Sequence, residues 1–267
     1  MKNKIHAFVV LAYKESPYLE ACVKSVICQR QYSEVVIATS TPNAFISSIA
    51  DKYGIKVVIN PNPGKGIGFD FDFARTCTSC DLITIAHQDD IYESTYAEKI
   101  ISAYRVYPDA TMLFTFYYEI RGDKKIYSNT NLKIKELLLS LVKHKKIATY
   151  TWIKRSAIRF GNAICCPAVT YVNSNIKVSR VFDTEFKCNV DWYAWEKISK
   201  MRGRFVFLDE ALMGHRVHEE STTTEIIHDR IRTKEDYQMF TKFWPKCVAY
   251  GLNKFYVKAE KSNEKEF

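Results

Sequence analysis

No apolar run in the 267-residue sequence approaches the roughly 20 residues needed to cross a bilayer, so any membrane contact is expected to be peripheral. The apolar stretch Ala7 to Ala12 follows a basic Met1-Lys2-Asn3-Lys4 but is too short for a signal-peptide core, and Tyr13-Lys14-Glu15 ends it; it reads as a buried strand. Cysteine is also sparse. Eight residues, irregularly spaced and including the adjacent pair Cys165-Cys166, do not make the disulfide framework of a small secreted scaffold, which favours reduced thiols in a cytoplasmic protein. Cys77-Thr78-Ser79-Cys80 has zinc or redox spacing, yet no second pair completes a four-ligand set, so small buried side chains are expected there. The phosphate-loop pattern and the GxGxxG dinucleotide fingerprint are both missing. So is any groove-reading or strand-reading motif, and no nucleic-acid partner is expected.

What is present is a chain with 47% hydrophobic residues, enough to bury one substantial core. Its charge is one-sided: 39 Lys and Arg against 30 Asp and Glu leave +9, which favours anionic partners such as phosphates or lipid headgroups.

Strand and helix signals alternate through the first half. Ile5 to Ala12, Val35 to Ala38 and Lys56 to Ile59 read as strands. Between them, a helix opens at Ser16-Pro17 and runs to Cys28, and a second runs from about Ala44 to Lys52 with Gly54 as its stop. Alternation of this kind predicts a mostly parallel sheet flanked by helices, with ligands at the carboxyl ends of the strands. Gly64-Lys65-Gly66-Ile67-Gly68 then precedes a helix from about Phe69 to Thr78, and serves either as a phosphate-facing turn or as a plain flexible one.

The most informative segment follows. Leu82 to Ala86 is a short apolar strand that delivers His87-Gln88-Asp89-Asp90 into a turn before a helix near Ser94. Two adjacent carboxylates at a strand end repel unless a cation joins them, and hard oxygen ligands suit magnesium or manganese. A solvated acidic turn capping the next helix is the alternative.

These residues resemble glycosyltransferase family 2, the inverting enzymes of the GT-A fold, over most of residues 5 to 225. Phe8 to Glu15 is similar to the first strand and nucleotide-contacting turn of that family, Glu34-Val35-Val36-Ile37 to its second strand, and His87-Gln88-Asp89-Asp90 to its Asp-x-Asp motif. The resemblance implies a GT-A, Rossmann-like nucleotide-diphospho-sugar transferase fold and a divalent cation, with Asp90 as metal ligand. It implies that Asp89 touches the donor's sugar or ribose, and that Ala12, Tyr13 and Glu15 line the nucleotide. The chain departs from the family at Thr39-Ser40-Thr41, where acidic residues usually meet the base, and at His87, where an Asp is usual. Asp70 and Asp72 are the substitutes for the base contact, or else surface carboxylates.

In the second half, Thr111 to Tyr118 and Ala168 to Val172 read as strands, with a turn at Gly122-Asp123. By the same resemblance Asp191, in Asn189-Val190-Asp191-Trp192, is the general base at the start of a helix. Trp192 and Trp195 either stack on an acceptor sugar or join the core. After a strand from Phe205 to Leu208 comes Met213 to Thr222, similar to the family's late histidine-containing loop; it implies His218 as a further metal ligand and Arg216 as a contact to the diphosphate.

Leu132 to Ile147 mixes apolar residues with Lys133, Lys135, Lys143, Lys145 and Lys146, either as a basic amphipathic helix at a membrane surface or as a packed helix with a solvated edge. The tail from Ile226 to Tyr256 is helical in pattern with breaks near Pro245 and Gly251, and residues from Lys258 onward read as disordered. The expected layout is one domain over 1–225, about 1–110 for the nucleotide sugar and 111–225 for the acceptor, then a helical extension over 226–267. The expected partners are a nucleotide-sugar donor and a saccharide or lipid-linked acceptor, met in the cytoplasm or at the inner face of a membrane. A nucleotidyltransferase would share the alternation but needs a glycine-rich basic loop after the first strand, where this chain has Tyr13-Lys14-Glu15-Ser16; a non-catalytic basic module would explain only the charge.

Overall fold

The computed structural model describes residues 4–182, 185–217 and 226–264. In chain order the first half runs β1 (His6–Ala12), α1 (Leu19–Ile27), β2 (Ser33–Thr39), α2 (Ala44–Tyr53), β3 (Lys56–Ile59), α3 (Ile67–Ala74), β4 (Leu82–His87), β5 (Ile91–Tyr92) and α4 (Tyr96–Val106). The second half adds β6 (Ala110–Arg121), β7 (Lys124–Ile126), α5 (Thr130–Leu139), α6 (Thr151–Ser156), β8 (Val169–Val172), α7 (Val190–Ser199), β9 (Arg204–Val217), α8 (Ile226–Thr241) and α9 (Lys246–Glu264).

One sheet of order β3-β2-β1-β4-β8-β6-β9-β5, with β7 beside β6, runs through the molecule. β3, β2, β1 and β4 are mutually parallel, as the alternation predicts. Beyond β4 the ladder is mixed: β8 is antiparallel to both β4 and β6, whereas β9 returns parallel to β6. Each central strand is apolar on both faces because helices cover both. Val9, Ile83 and Phe114 pack with α3, α6, α7, α8 and α9, while Phe8, Leu82 and Leu113 pack with α1, α2 and α4. α2 shows its boundaries in sequence: Asn43 Oδ1 accepts from the Ile46 amide, and Gly54 ends the helix at φ +57°, a left-handed conformation that glycine adopts without a Cβ clash.

Three elements differ from the sequence expectation. α5 stops at Leu139 rather than near Ile147, because the carbonyls of Lys145 and Ala148 are taken by Arg204 and the Phe205 amide, and tertiary bonds replace helical ones. β9 extends to Val217, well past Leu208. Its register against β6 jumps from Thr115↔Leu208 to Phe116↔Ala211, so Asp209 and Glu210 bulge outward and the strand resumes. α9 passes through Gly251 unbroken and reaches Glu264, since Lys, Glu and Ala are good helix formers and the real break is at Pro245. No helix among the described residues is long and apolar enough to cross a membrane.

Candidate active site

The carboxyl ends of β1 and β4 lie side by side, with Leu11 opposite His87. Gln88 locks the two loops together: its Oε1 accepts from the Tyr13 amide at 2.9 Å and its Nε2 donates to the Tyr13 carbonyl at 3.1 Å. Ala12 is buried at the end of β1, whereas Tyr13 and Glu15 are exposed at its rim. Lys14 takes a left-handed φ of 52°, and its amide donates to Thr41 Oγ1 at 2.7 Å, which ties the turn after β1 to the one after β2.

Past Gln88 the chain turns inward. His87, Asp89 and Asp90 bring one ligand atom each within 4.8 Å of one another. Asp90 is fully buried; its Oδ1 accepts from the Arg216 amide at 2.9 Å and meets His215 Nδ1 at 3.1 Å. Among the described residues its Oδ2 is buried with no hydrogen-bond partner, and so is His87 Nε2. A buried carboxylate oxygen left unmatched costs about 1–3 kcal/mol or more, so a pair of such atoms facing one acidic cluster fits a cation. Two carboxylates and an imidazole form a donor set of the kind magnesium and manganese accept.

The partners of Asp90 come from the end of β9. β5 pairs with Met213 and Gly214 and sets that strand beside the acidic turn. Gly214 is required there because a Cβ would lie 2.6 Å from the Tyr118 ring. His215 was not singled out in the sequence, where the run after Met213 reads as a loop; the bulge at Asp209 and Glu210 hides the strand's continuation. Burial alone would lower the pKa of His215, but the Asp90 carboxylate more than offsets this and raises it. Arg216 donates from Nε to the Asp89 carbonyl at 3.0 Å and lies 4.4 Å over the Tyr18 ring, so its guanidinium is held at the same rim. His218 lies outside the described residues.

Asp191 lies half-buried in the first turn of α7. Its Oδ1 accepts from the Trp192 amide at 2.7 Å and its Oδ2 from Asn162 Nδ2 at 2.9 Å. Burial raises its pKa; those two donors, with the charges of Arg232 and His87, counteract only part of the rise. Burial pushes the thiols of Cys165 and Cys166 up, which keeps both protonated and unreactive. Trp192 and Trp195 are fully buried and belong to the core, with Trp192 Nε1 donating to the Ile158 carbonyl.

The two helix carboxylates behind the glycine turn separate. Asp70 accepts from Asn60 Nδ2 at 2.8 Å and from Ser40 at 3.3 Å, just beyond the ends of β3 and β2. Asp72 is structural instead: it is buried, takes the amides of Val181 and Phe182, and pairs with Arg75 at 3.5 Å.

A four-stranded parallel half whose β4 ends in an acidic cluster, joined to a mixed half that carries Asp191 at a helix start, is the architecture of a GT-A type sugar transferase. The family model described as glycosyl transferase family 2 matches residues 7–162, and the chain belongs to that family. Among solved structures it is similar to TarS from S. aureus bound to UDP-GlcNAc, at TM-score 0.64 and 13% identity over 93% of this chain and 70% of that one. It is equally similar to the mannosyltransferase PcManGT from Pyrobaculum calidifontis, solved with GDP-Man and Mn2+, at TM-score 0.64 and 13% identity over 96% and 70% of the two chains. These likenesses show the GT-A fold. No curated protein sequence matches the chain.

Proposed function

We propose that the chain is an inverting glycosyltransferase that moves a sugar from a nucleoside diphosphate to a hydroxyl of a saccharide or lipid-linked acceptor, in assembly of a cell-surface polysaccharide or glycolipid. The observations that carry the reading are the His87, Asp89 and Asp90 cluster, whose ligand atoms lie within 4.8 Å of one another, and Asp191, a half-buried carboxylate of raised pKa in the first turn of α7. Ala12, Tyr13, Glu15 and Asp70 surround the donor's nucleoside, Asp89 its ribose or sugar, and Arg216 its diphosphate. Asp90 and His218 are the proposed metal ligands, with His87 oriented to join them through its unmatched Nε2. A divalent cation there supplies charge neutralisation for the diphosphate as it departs.

Asp191 accepts the proton of the acceptor hydroxyl. The acceptor oxygen forms its bond to the anomeric carbon as the bond from that carbon to the phosphate oxygen breaks, and the diphosphate leaves on the opposite face. One displacement inverts the anomeric centre. A raised pKa suits the base, because proton transfer is most effective when its affinity approaches that of the working solution. Arg216 offers a fixed guanidinium fork to the leaving charge.

The donor site is tested by calorimetry with UDP or GDP and manganese. Asp90→Ala is expected to lose at least tenfold in manganese-dependent affinity, and equal affinity in wild type and variant would remove Asp90 from the metal site. A panel of nucleotide sugars, scored for metal-dependent hydrolysis, then names the donor.

A further inference from the structure

α6 and the turn that follows α8 frame an open groove of about 440 Å³ on the outer face of the acceptor half, lined by Tyr150, Trp152, Arg155, Arg159, Phe243 and Trp244. Trp152 and Arg155 are three residues apart on α6, Arg159 follows in the turn beyond it with its amide bonded to the Arg155 carbonyl at 2.9 Å, and Ile153, Ser156 and Ala157 are buried. Tyr150 and Trp152 are 58% and 60% exposed, an unusual position for two large rings beside one another.

The two arginines are in different electrostatic states. Arg155 lies 4.6 Å over the Phe243 ring, and Glu196 answers its charge at 2.8 Å. Arg159 is set against the rings of Phe160 at 5.0 Å and Trp244 at 5.7 Å, and its Nε is buried. Among the described residues no carboxylate or hydrogen-bond acceptor meets its guanidinium. The Trp244 indole donates instead to the Arg159 carbonyl at 2.8 Å, which fixes the backbone on which this cation is mounted. A recessed, unanswered guanidinium is a receptor for a planar anion, carboxylate or phosphate.

The groove is near the proposed base: Arg159 precedes by three residues Asn162, which bonds Asp191, and three residues of chain span at most about 11 Å. A cation set among aromatic rings fits an elongated anionic solute, whose sugar faces stack on the rings while its charge meets the guanidinium.

We propose that this groove is a remote acceptor subsite that holds an anionic saccharide chain, with sugar faces on Tyr150 and Trp152 and a carboxylate or phosphate on Arg159. The proposal rests on the assignment of Asp191 as base toward a saccharide acceptor. The net charge of +9 complements such a ligand.

The test is affinity electrophoresis of the full chain through gels containing polygalacturonate, phosphomannan or neutral dextran, with Trp152→Ala, Arg159→Gln and the distant control Lys56→Gln. Retardation by at least one anionic polymer and not by dextran is expected. Apparent Kd should rise fivefold or more in Trp152→Ala and Arg159→Gln and stay unchanged in Lys56→Gln. Trp152 is exposed, so its removal does not threaten the fold; a melting curve checks the Arg159 variant. Equal retardation of all variants, or none by either anionic polymer, overturns the proposal. So does a Trp152 dependence seen only with phosphatidylglycerol vesicles, which would assign the groove to a lipid surface. Calorimetry with nucleoside diphosphate and manganese on the same samples reports the donor site separately: its failure would sink the active-site reading while the groove result stood.

Discussion

At the scale of single residues, the half-buried carboxylate of Asp191 joins a proposed function to a cost. Its folded pKa is raised, so the folded chain binds more protons than the unfolded one above the ordinary carboxylate range, and stability falls as pH rises through that window. At neutral pH the ionised form is therefore carried at the expense of stability. Asp191→Asn removes the charge and keeps the hydrogen bonds: the substituted side chain still accepts from the Trp192 amide through its carbonyl oxygen, and its new amide can donate to Asn162 Oδ1, which has no partner among the described residues, once Asn162 flips. The expected outcome is loss of transfer by at least about a hundredfold, the usual range for a general base. Nucleoside diphosphate affinity should be unchanged and Tm should rise by at least about 2 °C, the shift that 1 kcal/mol produces at this chain length. Near-normal transfer would remove the base assignment, and a lower Tm would refute the stability argument. Asp89 and Asp90 stood out in sequence because they follow the apolar run of β4, and Asp191 only through the family resemblance. His215 was not, because nothing in a single histidine signals a partner 125 positions away.

At the scale of elements, the parallel half could be read directly: β1, β2, β3 and β4 are continuous apolar runs punctuated by helices, and the starts of β3 and β4 match their predicted positions. β9 resisted because Asp209 and Glu210 interrupt its pattern at the bulge, and α5 because the bonds that end it come from β9. Both failures are tertiary events overriding local pattern. The end of β9 is accordingly the most sensitive element of the site. Gly214→Ala would press a methyl against the Tyr118 ring at 2.6 Å and Ile120 at 2.8 Å. It is expected to destabilise the chain by about 1–3 kcal/mol, as overpacking does. Because His215 follows directly and Gly214 pairs with Ile91, the variant should also weaken manganese-dependent nucleotide binding beyond any effect on folding. Intact affinity in a destabilised variant would show that β9 shapes the core but not the metal cluster.

At the scale of the whole molecule, the question is what joins the parallel half to the mixed one, and a buried polar thread crosses that junction. His6 of β1 meets Ser33 of β2 at 2.7 Å through Nδ1 and Thr84 of β4 at 2.9 Å through Nε2. Thr84 continues to Thr170 of β8 at 2.6 Å, and Tyr96 of α4 reaches Thr170 at 3.2 Å. Satisfied in this way, a neutral imidazole lies in the sheet without penalty, but an imidazolium would be a buried cation with hydroxyls alone for partners. Burial accordingly lowers the His6 pKa from 6.5 to about 3. A depressed folded value means that the unfolded chain takes up a proton near pH 6.5 while the folded chain does not, so stability is intact above that pH and declines below it until about pH 3. At pH 5.5 the loss from this one group is about 1.4 kcal/mol relative to pH 8, one unit below the unfolded pKa. Denaturant titrations at the two pH values measure it. Wild type should lose that amount more than His6→Asn, which is less stable at pH 8 but lacks the proton uptake. If the two lose stability in parallel, carboxylates elsewhere govern the acid response and the thread bears no charge-linked load at the junction of the halves.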